Sequence, residues 1–205
     1  SSVTSIEGYA FSDCISLTQI SIPSSITSID HFTFSGCKSL TEITIPSSIT
    51  KIEENAFYIC QSLKEIIITS PVISIGKSAF AICQSLAQVI LYSSIISFGD
   101  DVFYRCSSLS KISFENQSSK ISFGKNQFSE CPLLTQISLP SSITTISTQA
   151  FCRLSTLTRL IIPSSVNLIG VGAFSGCKSL TQISIPSSVT SVEKETFFWM
   201  FIINK

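Results

Sequence analysis

Eight cysteines and a single histidine are the side chains best equipped for chemistry in this chain of 205 residues. Seven thiols fall on a common beat at Cys14, Cys37, Cys60, Cys83, Cys106, Cys131 and Cys177, and Cys152 stands off it. Thiols can ligate zinc, pair as disulfides or act as nucleophiles, and each use has a spacing requirement. No Cys-x-x-Cys pair occurs and His31 is the only histidine, so a tetrahedral zinc set lacks both spacing and ligands. If successive repeats stack, their thiols project in parallel with Cβ atoms near 5 Å, beyond the roughly 3.8 Å that a disulfide prefers. The regular cysteines therefore read as reduced thiols buried as small hydrophobes. Cys152 follows Phe151, where other repeats place Ser12, Ser35, Ser129, Ser175, Tyr58 or Tyr104, and this polar column leaves open an exposed, reactive thiol.

Other constellations carry less. Ile75-Gly76-Lys77-Ser78 looks like the end of a phosphate loop, but the glycine required five residues before Gly76 is replaced by Pro71. Gly76, Gly99, Gly124 and Gly170 read better as a set of backbone turns. His31 has no recurring carboxylate or thiol partner and reads as a solvated or capping residue. Glu53, Glu54, Asp100 and Asp101 precede an expected helical turn, where negative charge is favourable. The expectation is a protein without catalytic residues, metal or cofactor. Thirteen basic and thirteen acidic side chains cancel, leaving no field to steer nucleic acid or an anionic membrane toward it. The longest uncharged apolar stretch, Phe197 to Ile203, is far below the roughly 18 residues of a membrane span, so no membrane insertion is expected of this segment.

The cysteine beat belongs to a larger repeat. Phe11, Phe34, Phe57, Phe80, Phe103, Phe128, Phe151, Phe174 and Phe197 are 23 residues apart at every step but one, and the step from Phe103 to Phe128 is 25. One unit reads Leu-x-x-Ile-x-Ile-Pro-Ser-Ser-Ile-x-x-Ile-x-x-x-x-Phe-x-x-Cys. Ile20 and Ile22 lie two apart and share one side of an extended strand, with Gln19 and Ser21 on the other. Pro23, Pro46, Pro140, Pro163 and Pro186 end the strand, and the serines after them supply turn chemistry. Phe and Cys three apart share a face of a 3₁₀ or α-turn. Such a unit buries nothing well alone. About nine stacked coils form a continuous core whose stability is a sum of nearest-neighbour terms.

This repeat resembles the BspA-like class of leucine-rich repeats, carried by Ser5 to Phe11, Leu40 to Pro46, Ala79 to Cys83, Ala150 to Phe151 and Ala173 to Cys177. The resemblance implies a leucine-rich repeat solenoid over residues 1–205, with a parallel sheet on one face and short helical turns or loops on the other. It also implies a non-enzymatic, protein-binding module, adhesin-like, at the cell surface or secreted. The alternative is a cytoplasmic adaptor or scaffold using the same face, favoured by the reduced thiols and by the lack of a signal peptide in the sequence given.

The outward strand residues locate the binding face. One column runs through Gln19, Glu42, Glu65, Gln88, Lys111, Gln136, Arg159 and Gln182; the next carries Ile67, Ile90 and Ile161 where polar residues predominate. Candidate partner-binding residues are therefore Glu42, Glu65, Ile67, Gln88, Ile90, Lys111, Arg159 and Ile161, with acidic charge in early coils, basic charge in later ones and exposed apolar contact points between. The irregular coil between Phe114 and Phe123 is expected to bulge, with Lys120 at or near a core position and an Asn116-Gln117-Ser118 glycosylation acceptor. Neither end shows a polar cap. Phe198, Trp199, Phe201 and Ile202 make the last unit strongly apolar, so the chain reads as part of a longer protein or one that covers its ends by end-to-end self-association, with a natural apolar cap as the competing reading of the C-terminus.

Overall fold

The computed structural model describes residues 3–69, 71–92, 95–115 and 120–199. The Asn116 glycosylation acceptor and the apolar residues after Trp199 lie outside them. The chain winds as a three-sided parallel β-solenoid, and its core follows directly from the repeat. Nine phenylalanine rings from Phe11 to Phe197 stack with centroids 5.1 to 5.8 Å apart and planes inclined by 4° to 18°. The rings from Phe34 to Phe174 are fully buried, as are Leu63, Leu86, Leu109, Leu134 and Leu157. Identical side chains fall above one another because the coil length is constant, so each new coil buries the apolar face of the last.

Leu-x-x-Ile-x-Ile forms the first side. Strands β3 (Glu65–Ile68), β5 (Gln88–Leu91), β7 (Lys111–Phe114) and β8 (Gln136–Ile137) make one parallel sheet, and β10 (Arg159–Ile161) with β12 (Gln182–Ser184) another. Ile-x-x-Ile forms the second side and pairs as its own ladder. It comprises β1 (Ser28–Ile29), β2 (Lys51–Ile52), β4 (Ser74–Ile75) and β6 (Ser97–Phe98), then β9 (Thr145–Ile146), β11 (Leu168–Ile169) and β13 (Ser191–Val192).

The third side differs from the expected helical turn: among the described residues there is no helix. Positive φ recurs two residues before and two after each ladder phenylalanine, as at Tyr9 (61°) and Asp13 (56°), or Gln149 (53°) and Arg153 (60°). A right-handed helix cannot contain such residues. Successive turns form instead, closed by bonds such as Ser12 N–H to Tyr9 O (2.9 Å) and Cys14 N–H to Phe11 O (3.2 Å). Between them the backbone donates forward to the next coil, as from Phe57 N–H to Ala79 O at 2.8 Å. The other sides donate backward, as from Glu53 N–H to Ile29 O at 2.8 Å. Even Ile59 (60°) and Ile82 (61°) are held in the left-handed region, so the stack imposes the conformation against local preference.

The glycine set also has a different cause. Gly76, Gly99, Gly124 and Gly170 are not in the positive-φ region; a Cβ on Gly76 would meet Glu54 N at 2.5 Å, and one on Gly124 would run into the Gly99 carbonyl. They permit close approach of one coil to the next. In the irregular coil Lys120 is exposed and Ile121 takes the buried place. Ser122 pairs with Ser97, so the insertion is absorbed as a slip before the second side resumes.

Candidate functional site

Alternation along the first side decides which residues a partner can reach. In β3, Ile66 and Ile68 are fully buried, Glu65 is exposed and Ile67 is 41% exposed. In β5, Val89 and Leu91 are buried, while Gln88 and Ile90 are half-buried. Parallel pairing sets Glu65 beside Gln88 and Gln88 beside Lys111, and sets Ile67 beside Ile90. Ile67 and Ile90 thus form an apolar step on a polar sheet. Glu42 is exposed beside this face, and the strip containing it shares a groove with Lys64, Glu65, Ile67 and Thr69. The groove lies where the segment through Thr44 bridges back to Ser21 while β3 pairs forward to β5, so that no strand ladder spans the two strips and Lys64 N–H to Thr41 O, at 3.3 Å, joins them at its end.

Six of the eight residues expected at the binding face, Glu42, Glu65, Ile67, Gln88, Ile90 and Lys111, therefore lie together. Arg159 and Ile161 point the same way, Ile161 being 68% exposed, but they belong to the separate β10–β12 sheet. Glu42, Glu65, Lys111 and Arg159 take part in no ion pair among the described residues, so their charge is free to meet a partner. The ion pairs lie on the turn side: Asp30–His31 at 2.7 Å, and Glu130 held by Arg105 at 2.7 Å and Arg153 at 2.9 Å. Sequence reading missed the groove residues Lys64 and Thr69. It also missed Ile73 and Ile96, 41% and 52% exposed on the second side. Their signal was available, since Thr27 and Thr50 occupy the same column.

The thiols form a ladder with a bonding role beyond packing. Six S–H groups donate to the phenylalanine carbonyl of the preceding coil: Cys37 to Phe11 (3.0 Å), Cys60 to Phe34 (3.1 Å), Cys83 to Phe57 (3.2 Å), Cys106 to Phe80 (3.2 Å), Cys131 to Phe103 (3.1 Å) and Cys177 to Phe151 (3.0 Å). All eight cysteines are unpaired. Burial pushes the Cys83, Cys131 and Cys177 thiols up to about 12 and Cys37 to about 11, and drives Cys60 and Cys106 in the same direction. Such thiols are poor nucleophiles and poor ligands.

Cys152 does not support the exposed, reactive reading. It is only 9% exposed and its thiol is also raised by burial. The column it occupies packs under the turn side, where Ser35 and Ser129 are 8% and 5% exposed. Among the described residues no group of three or more His, Cys, Asp or Glu side chains could hold a metal ion. Among the described residues no helix is long and apolar enough to cross a membrane.

Comparison with known proteins agrees with this geometry. The model of the BspA type leucine rich repeat region matches in six copies across residues 4–124 and 121–202. A leucine-rich repeat protein from Eubacterium ventriosum is similar at 31% identity with a TM-score of 0.72, over 82% of this chain and 45% of that one. The T. pallidum leucine rich repeat protein shares 27% identity with a TM-score of 0.58, over 86% of this chain and 71% of its own. A leucine rich cell surface protein from Faecalibacterium prausnitzii shares 29% identity with a TM-score of 0.55, over 92% and 59%. The chain thus spans from under half to about seven tenths of the length of these structures. No curated protein sequence matches. The stacked phenylalanines, the Leu-x-x-Ile-x-Ile strands and the family model covering nearly all of the sequence agree, and the chain belongs to the BspA-type leucine-rich repeat family.

Proposed function

We propose that this solenoid is a non-enzymatic protein-binding module that holds its partner on the first-side sheet, and that it is presented at a cell surface in an adhesin-like role. The observation that carries the reading is the apolar step of exposed Ile67 and half-buried Ile90, flanked by charges that make no ion pair among the described residues. Its charges run from Glu42 and Glu65 to Lys111 and Arg159, which suits a partner of opposite polarity along the solenoid axis. The F. prausnitzii structure, described as that of a cell surface protein, supports surface presentation. An intracellular adaptor is the second reading, favoured by thiols that are all unpaired.

The test uses immobilised protein, partners captured from host-cell extract or from source-cell lysate, and titration of each captured protein. Ile67→Lys with Ile90→Lys should weaken binding a hundredfold or more, because burying two isoleucines is worth about 3 to 6 kcal/mol. Gln84→Lys with Ser16→Lys, exposed beyond the turns, should change it little. Normal binding by the double isoleucine variant together with loss in the control pair would move the site to the turn side.

A further inference from the structure

Most neighbouring coils are tied by backbone bonds on more than one side, and one junction, among the described residues, has them on a single side. Between residues 121–139 and 144–162, β8 pairs with β7 but has no pairing to β10. On the second side, Ser122 bridges back to Ser97, while β9 pairs only with β11. Both strand ladders are thus interrupted among the described residues. The turn side is complete there: Asn126 N–H donates to Thr148 O at 3.0 Å, Phe128 N–H to Ala150 O at 2.9 Å and Glu130 N–H to Cys152 O at 3.0 Å.

Other ties at this junction are also reduced or confined to edges. Leu154 stands in the cysteine column, so no thiol crosses to the Phe128 carbonyl as thiols do at the coils before it. The Phe128–Phe151 rings are the most inclined rung, at 18°. Two hydroxyls bridge the gap, Ser147 to Phe123 O and Thr156 to Pro132 O, both at 2.6 Å. The adjoining coil holds the described side-chain atoms that are buried without a partner, the Gln127 amide and the Ser142 hydroxyl. The other gap in the first-side sheet, between Thr44 and β3, differs because β1, β2 and β4 pair continuously beside it.

We infer that this junction is a one-sided hinge: the solenoid opens and closes on its sheet side about the turn-side bonds, moving Arg159 and Ile161 relative to Glu65, Ile67 and Lys111. Rotation about that line breaks no strand hydrogen bond, whereas bending at a junction with paired strands breaks several. Closure buries Leu134, Ile146 and Leu157 at the seam, and opening gives up part of that burial and the two hydroxyl bonds but no strand pairing. The functional meaning rests on the sheet-face reading: a partner touching both halves selects one angle, and one touching only the Glu65–Lys111 half leaves the hinge free. The hinge itself does not depend on that reading.

Spin-label distance measurements on the free protein test it without any partner. Labels attached through p-acetylphenylalanine at positions 111 and 159 span two repeats across the junction, and labels at 65 and 111 span two repeats within a continuous sheet. The 111/159 distance distribution should be at least twice as broad as the 65/111 one. A turn-side pair at 125 and 194, across the same junction, should stay narrow. A 111/159 distribution as narrow as 65/111 overturns the hinge, and so does equal broadening of the turn-side pair, which would mean general looseness. Failure of the isoleucine binding test would leave these distributions unaffected, so the two ideas fail separately.

Discussion

Raising the pH from 8 to 10 should strip stability from the core through the thiol ladder. Cys83, Cys131 and Cys177 have thiols pushed up to about 12 from an ordinary 9.0, with burial the first cause in each. In the unfolded chain the same thiols lose their protons near 9, while the folded protein keeps them. A raised folded value contributes stability that is fully present below about 9 and is lost as pH rises toward 12, because above 9 the unfolded state binds fewer protons. Between pH 8 and 10 each of the three should lose about 1.4 kcal/mol, so together they remove about 4 kcal/mol from a total that is ordinarily about 5 to 15. Urea unfolding followed by circular dichroism at pH 8, 9 and 10 reads the loss. Cys83→Ala isolates the thiol contribution from other alkaline titrations: it lowers stability at pH 8 but should lose about 1.4 kcal/mol less than wild type between pH 8 and 10. An identical pH slope in wild type and Cys83→Ala, or thiolate absorbance appearing near pH 9 in fully folded Cys14→Ser protein, would refute the buried ladder.

Phe80→Ala and Phe103→Ala, which remove fully buried rings stacked on both sides, should each cost about 3 to 5 kcal/mol in a denaturant series. Phe11→Ala should cost much less, since that ring is half-buried and stacks on Phe34 alone; equal losses would contradict nearest-neighbour stability. Gln127→Thr should stabilise the protein by about 1 to 3 kcal/mol by relieving a buried, unpartnered amide. Thr33 and Thr196 in the same column donate to Asp30 O at 2.8 Å and Glu193 O at 2.6 Å, and a lower urea midpoint would mean that the amide has a role this reasoning misses. Timed thiol labelling of native protein, read by peptide mass, should modify half-buried Cys14 first. Cys152 labelling faster than Cys14 would restore the reactive-thiol reading.

The strand register was legible because a constant coil length leaves no freedom. Once Phe57 and Phe80 are 23 apart, Glu65 must pair with Gln88 and Ile67 with Ile90, as observed. The turn side was not legible from the same pattern. A three-residue Phe-x-x-Cys spacing fits a helical turn and a chain of β-turns equally well, and side-chain type did not mark the sign of φ at Ile59 and Ile82. Cys152 was misplaced for a related reason. Serines in its column suggested a solvated surface, but Ser35 and Ser129 are small enough to tuck under the turns, and a cysteine fits the same space. Gly124 looked like a turn residue because its φ and its neighbours in the adjacent coil cannot be read from one coil alone. The grouping of six face residues apart from Arg159 and Ile161 depends on where pairing lapses. That is a property of whole junctions, with only Leu154, Gln127 and the longer coil to hint at it in the sequence.

The location of that lapse follows from how a solenoid stores stability. Each coil touches only its neighbours, so a weakened junction is not repaired by contacts from elsewhere, and its effect stays local. The two extra residues before Phe128 displace Lys120 outward and let Ile121 into the core, and the register shift ends at the bridge between Ser97 and Ser122. Beyond that bridge β9 pairs only with β11 and starts a new ladder. The turn side escapes because its bonds are made by residues 126–130, after the insertion has been absorbed. The junction after this longer coil is the one where both strand ladders are interrupted while the turn side stays continuous. The same insertion placed within the Phe-x-x-Cys segment would break the phenylalanine stack itself, removing the core contacts on which both halves depend.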